Sequence, residues 1–232
     1  LMFNFRLEER DDTPSWMYFF SPFIAIIISL SLASFLILLA GVSPIESYIQ
    51  LFKGAFGSIN SLAETLSRAT PIILTGLAAG IAFKAKFWNI GAEGQLYFGA
   101  LAVTFFGTGL IELPSFLMIP FLFIVGALAG GMLLLPLVIL RNLYRVDEVV
   151  TTLLLNFVVV LLVSYLLEGP MKDPMGLGWP QGRSVIDQGV LPQLIPRTRL
   201  HMGFMISVFT ALAIWLILAR TVIGFQIKAV GF

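Results

Sequence analysis

Long uncharged stretches separated by short polar segments are the dominant pattern along this chain. The first sixteen residues are polar and mixed in charge, and an uncharged run, residues 17–40, follows them. As a helix this run is long enough to cross a hydrocarbon core of about 30 Å. A secretory signal peptide would have a shorter apolar region and a basic flank, whereas this flank is acidic. The pattern therefore predicts a retained first membrane span.

Residues 42–70 alternate apolar and polar positions with a helical period. Ile45, Ile49, Phe52 and Phe56 fall on one face of such a helix. This arrangement is typical of a helix that lies along the membrane surface, and a soluble connector is the alternative. We therefore expect one interfacial helix in this segment.

Five further apolar runs follow. The first, opened by Pro71, has only about 13 residues, so it is either a short span or a broken, re-entrant helix. The others cover residues 87–111, 116–140, 149–167 and 203–219. A Pro-rich loop of about 33 residues separates the last two and belongs in water. The pattern predicts an all-α membrane protein, a polytopic bundle of about six transmembrane helices plus one interfacial helix.

The positions of the cations predict how the chain is oriented in the membrane, and the glycine spacing predicts how its helices pack. With a cytoplasmic N-terminal tail, residues 1–16, the short inside connectors are denser in Lys and Arg than the longer outside segments, as the positive-inside rule requires. Two glycine pairs, Gly76 with Gly80 and Gly126 with Gly130, are spaced about one helical turn apart. Small residues at this spacing predict close helix packing in lipid.

The composition supports lipid as the solvent of this chain. Of its 232 residues, 58% are hydrophobic and 12% charged, with a mean hydropathy of +0.96, whereas about a quarter of a soluble domain is charged. The net charge of +1 gives no support to nucleic-acid binding. The chain has no cysteine and one histidine, His201, so neither a thiol nucleophile nor a metal or other cofactor is expected. There is no P-loop, so any nucleotide hydrolysis must come from another chain.

The first candidate site lies in the polar stretch between two apolar runs. It contains Asn89, Glu93 and Gln95, with Gly91 and Gly94 between them. A carboxylate in a membrane segment normally faces a partner, a cavity or an interface. Glu93 is therefore either solvated near the headgroups or aimed, where the glycines break the helix, at a pathway. The residues alone leave both interpretations open.

The second candidate site is at the start of a later span. Asp147 suits a helix N-terminus, where a carboxylate complements the positive end of the helix. Glu148, Thr152 and Asn156 are four residues apart and share one helical face. Asn156 lies roughly 12 Å beyond Glu148, near the middle of a bilayer. Its amide either bonds to a neighbouring helix or lines a polar pathway.

Three segments, in order, resemble the permease subunits of ABC importers for simple sugars and nucleosides, within the branched-chain amino acid/ribose permease superfamily. NIGAEGQ, residues 89–95, is similar to that family's N-I-G-x-E-G-Q signature, and VDEVVTTLLLN, residues 146–156, to a motif of a later helix. TVIGFQIKAVG, residues 221–231, resembles the entry to the cytoplasmic coupling segment. The first motif is closest to the nucleoside-type members, so the resemblance implies nucleoside import, with simple sugars as the alternative.

The resemblance also implies an assembly and a set of roles. Residues 17–232 would be a transmembrane permease domain that lacks the family's last helices and ends in the coupling segment. This transport subunit, not an enzyme, would work in a prokaryotic cell membrane with a second permease subunit, two ATPase subunits and a solute-binding protein, which the Pro-rich loop would meet. The implied pathway or gate residues are Asn89, Glu93, Gln95, Glu148, Thr152 and Asn156. The implied ATPase-coupling residues are Gly224, Lys228, Ala229 and Gly231.

Other classes of membrane protein fit the residues less well. A secondary transporter needs a coupling-ion site, for which Glu93 is the main candidate in the apolar sequence. A membrane enzyme needs a Ser–His, Asp–Asp or metal constellation, which one histidine does not provide. A scaffold without transport activity predicts that substituting Glu93 or Asn156 affects folding alone.

Overall fold

The computed structural model describes residues 14–231, which are mostly helical. Residues 1–13, most of the predicted tail, and Phe232 lie outside the described residues. The helices are α1 Ser15–Leu39, α2 Pro44–Phe56, α3 Ile59–Lys84, α4 Ala92–Gly107, α5 Ser115–Tyr144, α6 Glu148–Glu168, α7 Gly203–Arg220 and α8 Val222–Val230. One 3-10 turn, Asp187–Gly189, lies in the loop between α6 and α7.

Among the described residues, five helices are long and apolar enough to cross a membrane: α1, α3, α5, α6 and α7. The predicted all-α, multi-pass architecture is confirmed. The span expected over residues 87–111 is different, because its helix α4 has only 16 residues. At 1.5 Å per residue α4 is about 24 Å long, less than a hydrocarbon core of about 30 Å. Non-helical backbone at residues 85–91 precedes it.

Two element boundaries predicted from the sequence differ from the observed bounds of α3. The surface helix predicted over residues 42–70 is divided, because α2 ends at Phe56 and α3 runs from Ile59 to Lys84. Pro71 lies inside α3 and does not open it, so the apolar run that looked too short belongs to a helix of 26 residues. Membrane helices tolerate an interior proline where neighbouring groups satisfy the freed backbone. The polar first half of α3 concealed this continuity.

The chain divides into two compact units, residues up to Leu62 and residues from Ala63 onward. In the first unit, Tyr48 of α2 joins that helix to α1. Its hydroxyl donates to the Leu30 carbonyl at 2.5 Å and lies 3.0 Å from the Ser34 hydroxyl. The span of α1 has no buried residue, as expected for an apolar helix with lipid as its surroundings.

In the second unit, α4 is the central helix and packs against α5 and α6, while α7 leads into α8. Glycine permits the α4–α5 contact, because a Cβ on Gly99 would lie 2.9 Å from the Gly126 carbonyl oxygen. A Cβ on Gly130 would likewise lie 3.1 Å from the Gln95 carbonyl oxygen of α4. These contacts agree with the packing predicted for Gly126 and Gly130. An added Cβ at Gly76 or Gly80 would meet no described atom within 4 Å, so close packing is not found there.

Candidate functional site

The α3–α4 linker, residues 85–91, is non-helical backbone next to a helical bundle. It turns away from α3 at Lys86, whose φ of 52° is left-handed. The Phe87 N–H still donates to the Ala82 carbonyl of α3, at 2.9 Å. Inside a membrane, irregular backbone is tolerated only where protein or a water-filled cavity satisfies its polar groups. For two further N–H groups of the linker, those of Trp88 and Ile90, α6 supplies the acceptors.

The α6 stripe, formed by Glu148, Thr152 and Asn156, faces the linker and the start of α4. The Trp88 N–H points to Glu148 Oε1 at 3.5 Å, and the Ile90 N–H donates to Thr152 Oγ1 at 3.2 Å. The side chain of Thr152 is fully buried. Its hydroxyl donates in turn to the Glu148 carbonyl at 2.7 Å. The helical face predicted from the four-residue spacing of Glu148, Thr152 and Asn156 is therefore the face of α6 that contacts the linker.

Two glycines let the linker and α4 approach the stripe closely. A Cβ on Gly91 would lie 2.7 Å from the Thr152 carbonyl oxygen. A Cβ on Gly94 would lie 2.8 Å from Asn156 Oδ1 and 3.1 Å from its Cα. A methyl group at either position would push the start of α4 away from α6. The sequence suggested that the glycines break a helix, but Gly91 directly precedes α4 and Gly94 lies within it.

Glu93 and Asn156 form a polar contact between α4 and the stripe. Asn156 Nδ2 donates to Glu93 Oε2 at 3.3 Å. Asn156 is only 9% exposed, and among the described residues its Oδ1 has no partner. Glu93 itself is exposed and lies in the first turn of α4, where the helix dipole favours a negative charge. The contact thus leaves the Glu93 carboxylate exposed and the Asn156 Oδ1 atom able to accept a hydrogen bond.

Asn89 and Gln95 form a reciprocal amide pair at the start of α4. Asn89 Nδ2 donates to Gln95 Oε1 at 3.2 Å, and Gln95 Nε2 approaches Asn89 Oδ1 at 3.3 Å. The same Asn89 oxygen accepts the Gly91 N–H at 3.1 Å. Both amides border the linker cavity, a space of about 540 Å³. Its other walls include Ala78, Ile81, Ala82, Leu134, Val138, Arg141 and Asn142.

Arg141, at the end of α5, is a site residue that the sequence did not reveal. Its Nη2 donates to the Lys86 carbonyl at 2.7 Å, and its Nη1 lies 3.4 Å from Glu148 Oε1. The guanidinium also stands 5.1 Å from the centroid of the Phe87 ring, within the range of a cation–π contact. One cation therefore joins α5, the linker and α6. In the sequence it appeared only as one of several inside cations.

The six predicted site residues all gather around the start of α4, in two groups. Asn89 and Gln95 border the linker cavity. Glu93 and the α6 stripe form the contact between α4 and α6 and do not border that cavity. Asp147, predicted to cap its helix, does so by accepting the Val149 and Val150 N–H groups at 2.8 and 3.1 Å.

The four predicted coupling residues lie on α8 or directly after it. Gly224 is buried at the turn from α7, and its N–H donates to Thr221 Oγ1 at 3.2 Å. Lys228 and Ala229 are exposed. Gly231 is buried against the Lys84 carbonyl at the end of α3, where an added Cβ would clash. The end of α8 therefore touches the point at which the α3–α4 linker begins.

Residues 61–232 match the family of permease components of branched-chain amino acid transport systems. This chain belongs to that family. The matched region begins close to the start of the second structural unit at Ala63, so it contains the linker, the α6 stripe and α8. The resemblance found in the sequence motifs is thereby confirmed.

Curated relatives of this permease carry sugar and nucleoside names. It is 34% identical, over 97% of its length and 62% of the relative's, to the glucose ABC transporter permease protein TsgB13 of Haloferax volcanii. It is 32% identical, over 91% of its length and 61% of the relative's, to the guanosine ABC transporter permease protein NupP of Bacillus subtilis. For the nucleoside ABC transporter permease protein NupB of Lactococcus lactis these values are 30%, 90% and 60%.

The permease chain spans about three fifths of the length of these curated relatives. No solved structure matches it significantly.

Proposed function

We propose that this permease chain forms part of the membrane pathway of an ATP-driven nucleoside importer. The observation that carries the proposal is the linker cavity, where Asn89 and Gln95 border a space of about 540 Å³. Cavities of roughly 300–1,000 Å³ hold small organic molecules. A carboxamide presents a donor and an acceptor side by side, which matches the edge of a purine base. The names of the guanosine and nucleoside relatives support the same solute class.

In this proposal the two groups of site residues have different tasks. Asn89 and Gln95 contact the solute, because their amides border the cavity; the two amides also hydrogen-bond to one another. Glu148 and Thr152 position the linker that carries Asn89. Glu93 and Asn156 hold the start of α4 against α6 and form the gate. Parting the Glu93–Asn156 contact widens the path beside α4.

The coupling route of the proposal runs through α8. Lys228 and Ala229 face the ATPase, since both are exposed on this short helix. Gly231 presses on the Lys84 carbonyl, and Val230 borders the linker cavity. A displacement of α8 by the ATPase therefore acts directly on the end of α3 and on the cavity wall. Gly224 permits the tight turn through which α8 follows α7.

The proposed assembly contains two ATPase subunits, a second permease subunit and an extracytoplasmic solute-binding protein. It lies in a prokaryotic cell membrane with the N-terminus on the cytoplasmic side. Cations near the linker, such as Lys84, Lys86 and Arg145, favour this orientation. The linker cavity then lies at the cytoplasmic end of the bundle and the loop between α6 and α7 outside. This loop meets the solute-binding protein.

Uptake of labelled guanosine by cells that carry the complete transporter tests the proposal. We expect Asn89→Ala and Gln95→Ala to reduce ATP-dependent guanosine uptake, because each removes an amide from the cavity wall. Asn60→Ala and Gln50→Ala are the matched controls, since both amides are exposed on other helices, and uptake should be unchanged in them. Full uptake by well-expressed cavity variants would contradict the assigned site.

Glucose is the second candidate solute, favoured by the Haloferax volcanii relative that matches 97% of this chain. Hydroxyl groups of a sugar also bond to carboxamides. Competition distinguishes the two candidates: excess unlabelled glucose displaces labelled guanosine only if the pathway accepts sugars. Uptake of glucose without uptake of guanosine would transfer the proposal to a sugar importer.

A further inference from the structure

A second cavity, of about 790 Å³, lies beside the other half of α4, away from the linker. Its walls come from α4 and the residues directly after it, from the end of α6 and from the loop that follows α6. The aromatic and aliphatic wall residues include Phe98, Phe105, Phe106, Leu162 and Leu166. Phe105 is still 53% exposed, so the cavity is open to the surroundings of the chain.

Within the part of the chain that the structure describes, Arg183 is the one cation on the wall of this Phe-lined cavity. It is exposed, and among the described residues no ion pair or hydrogen bond engages its guanidinium. A guanidinium binds phosphate oxygens in a planar, two-bond geometry and is more weakly hydrated than an ammonium. An unpaired arginine beside an apolar space therefore suits a ligand with a phosphate at one end and hydrocarbon at the other.

The adjoining loop has a surface suited to lipid as well. Soon after α6 ends at Glu168, a short hairpin forms, closed by the Asp173 N–H donating to the Gln181 carbonyl at 2.8 Å. Its turn presents Met175, Leu177 and Trp179, which are 86%, 95% and 73% exposed. Tryptophan beside aliphatic side chains at the end of a membrane helix is typical of the interfacial region of a bilayer.

We propose that the Phe-lined cavity is a phospholipid site. One acyl chain lies against Phe98, Phe105 and Leu166, and the phosphate pairs with Arg183. Unlike the rest of the loop between α6 and α7, the apolar turn of the hairpin enters the same leaflet and keeps the site at the membrane surface. The site is separate from the linker cavity, which borders the opposite half of α4.

Native mass spectrometry of the complete permease, with dioleoylphosphatidylglycerol as the probe, tests this site. We expect Arg183→Gln to lower the lipid-bound fraction about fivefold, the effect expected of one cation at an anionic lipid surface. Ala102→Phe should lower it as well, because Ala102 borders the cavity and the larger ring fills it without changing the charge. Arg197→Gln is the control, since Arg197 is exposed on the same loop but does not border the cavity.

The two cavity variants together distinguish a specific phospholipid site from lipid that surrounds the protein without binding at one place. Loss of lipid in both Arg183→Gln and Ala102→Phe, with retention in Arg197→Gln, supports the proposal. Retention in either cavity variant overturns it, because the lipid would then be held elsewhere. Displacement of the lipid by excess guanosine or glucose also overturns it, because the cavity would then belong to the solute pathway.

Discussion

At Gly94 the backbone of α4 lies so close to Asn156 that a single methyl group has no room. Gly91 of the linker comes as close to Thr152, whose hydroxyl is the hydrogen-bond acceptor for the Ile90 N–H. In lipid no water replaces a lost partner, so each such contact contributes to holding α4 in place. At the scale of single residues, the glycines that permit close backbone contacts shape the site as much as its polar side chains do.

Gly94→Ala should destabilise the permease by about 1–3 kcal/mol, the usual cost of extra volume in a tight contact. The new Cβ would lie 2.8 Å from Asn156 Oδ1, and either that amide or α4 must move. The midpoint of unfolding in a detergent titration measures this change. Gly80→Ala is the matched control, because its Cβ would meet open space. Equal midpoints for the two variants would contradict the described contact.

Thr152→Val should leave the Ile90 N–H without its acceptor, at a cost of about 1–3 kcal/mol for an unpaired buried group. Hydrogen exchange at the Ile90 amide is the direct measurement and should become faster. Thr152→Ser keeps the hydroxyl and should preserve slow exchange. If exchange in the valine variant matches that in the serine variant, Thr152 does not hold the linker.

At the scale of elements, the sequence predicts the long apolar spans and the shared face of Glu148, Thr152 and Asn156. Periodicity is enough for this, because both features are local. It does not predict that the stripe contacts the linker, since those contacts join residues about 60 positions apart, such as Trp88 and Glu148. The predicted start of α3 is wrong for another reason. The first half of this helix is polar, and Pro71 stands at the start of its apolar run.

Gly231→Ala should uncouple ATP hydrolysis from transport. Its Cβ would clash with the Lys84 carbonyl and force the end of α8 away from α3. We expect guanosine uptake to fall in the assembled transporter while basal ATP hydrolysis continues. Gly54→Ala, an exposed position with open space around it, serves as the control. Uptake equal to that of the control would show that this contact does not transmit motion.

At the scale of the whole molecule, the second unit contains the parts that the proposal connects. The linker cavity, the α6 stripe and the end of α8 all lie between Ala63 and Gly231, and the family match covers the same region. Relatives are longer than this chain, so transport is a property to be measured on a complete transporter. In the proposed function a displacement of α8 moves the wall of the linker cavity, so we expect the exposure of Gln95 on that wall to change during the transport cycle.

Labelling of Gln95→Cys by a charged thiol reagent tests that claim most directly. The chain has no cysteine of its own, so the introduced thiol is the only one among these 232 residues. In the assembled transporter we predict that the labelling rate differs several-fold between the nucleotide-free and ATP-bound states and that guanosine slows it. Gln50→Cys, on the exposed surface of α2, should react equally in both states. A rate at Gln95→Cys that is independent of nucleotide and solute would contradict the account.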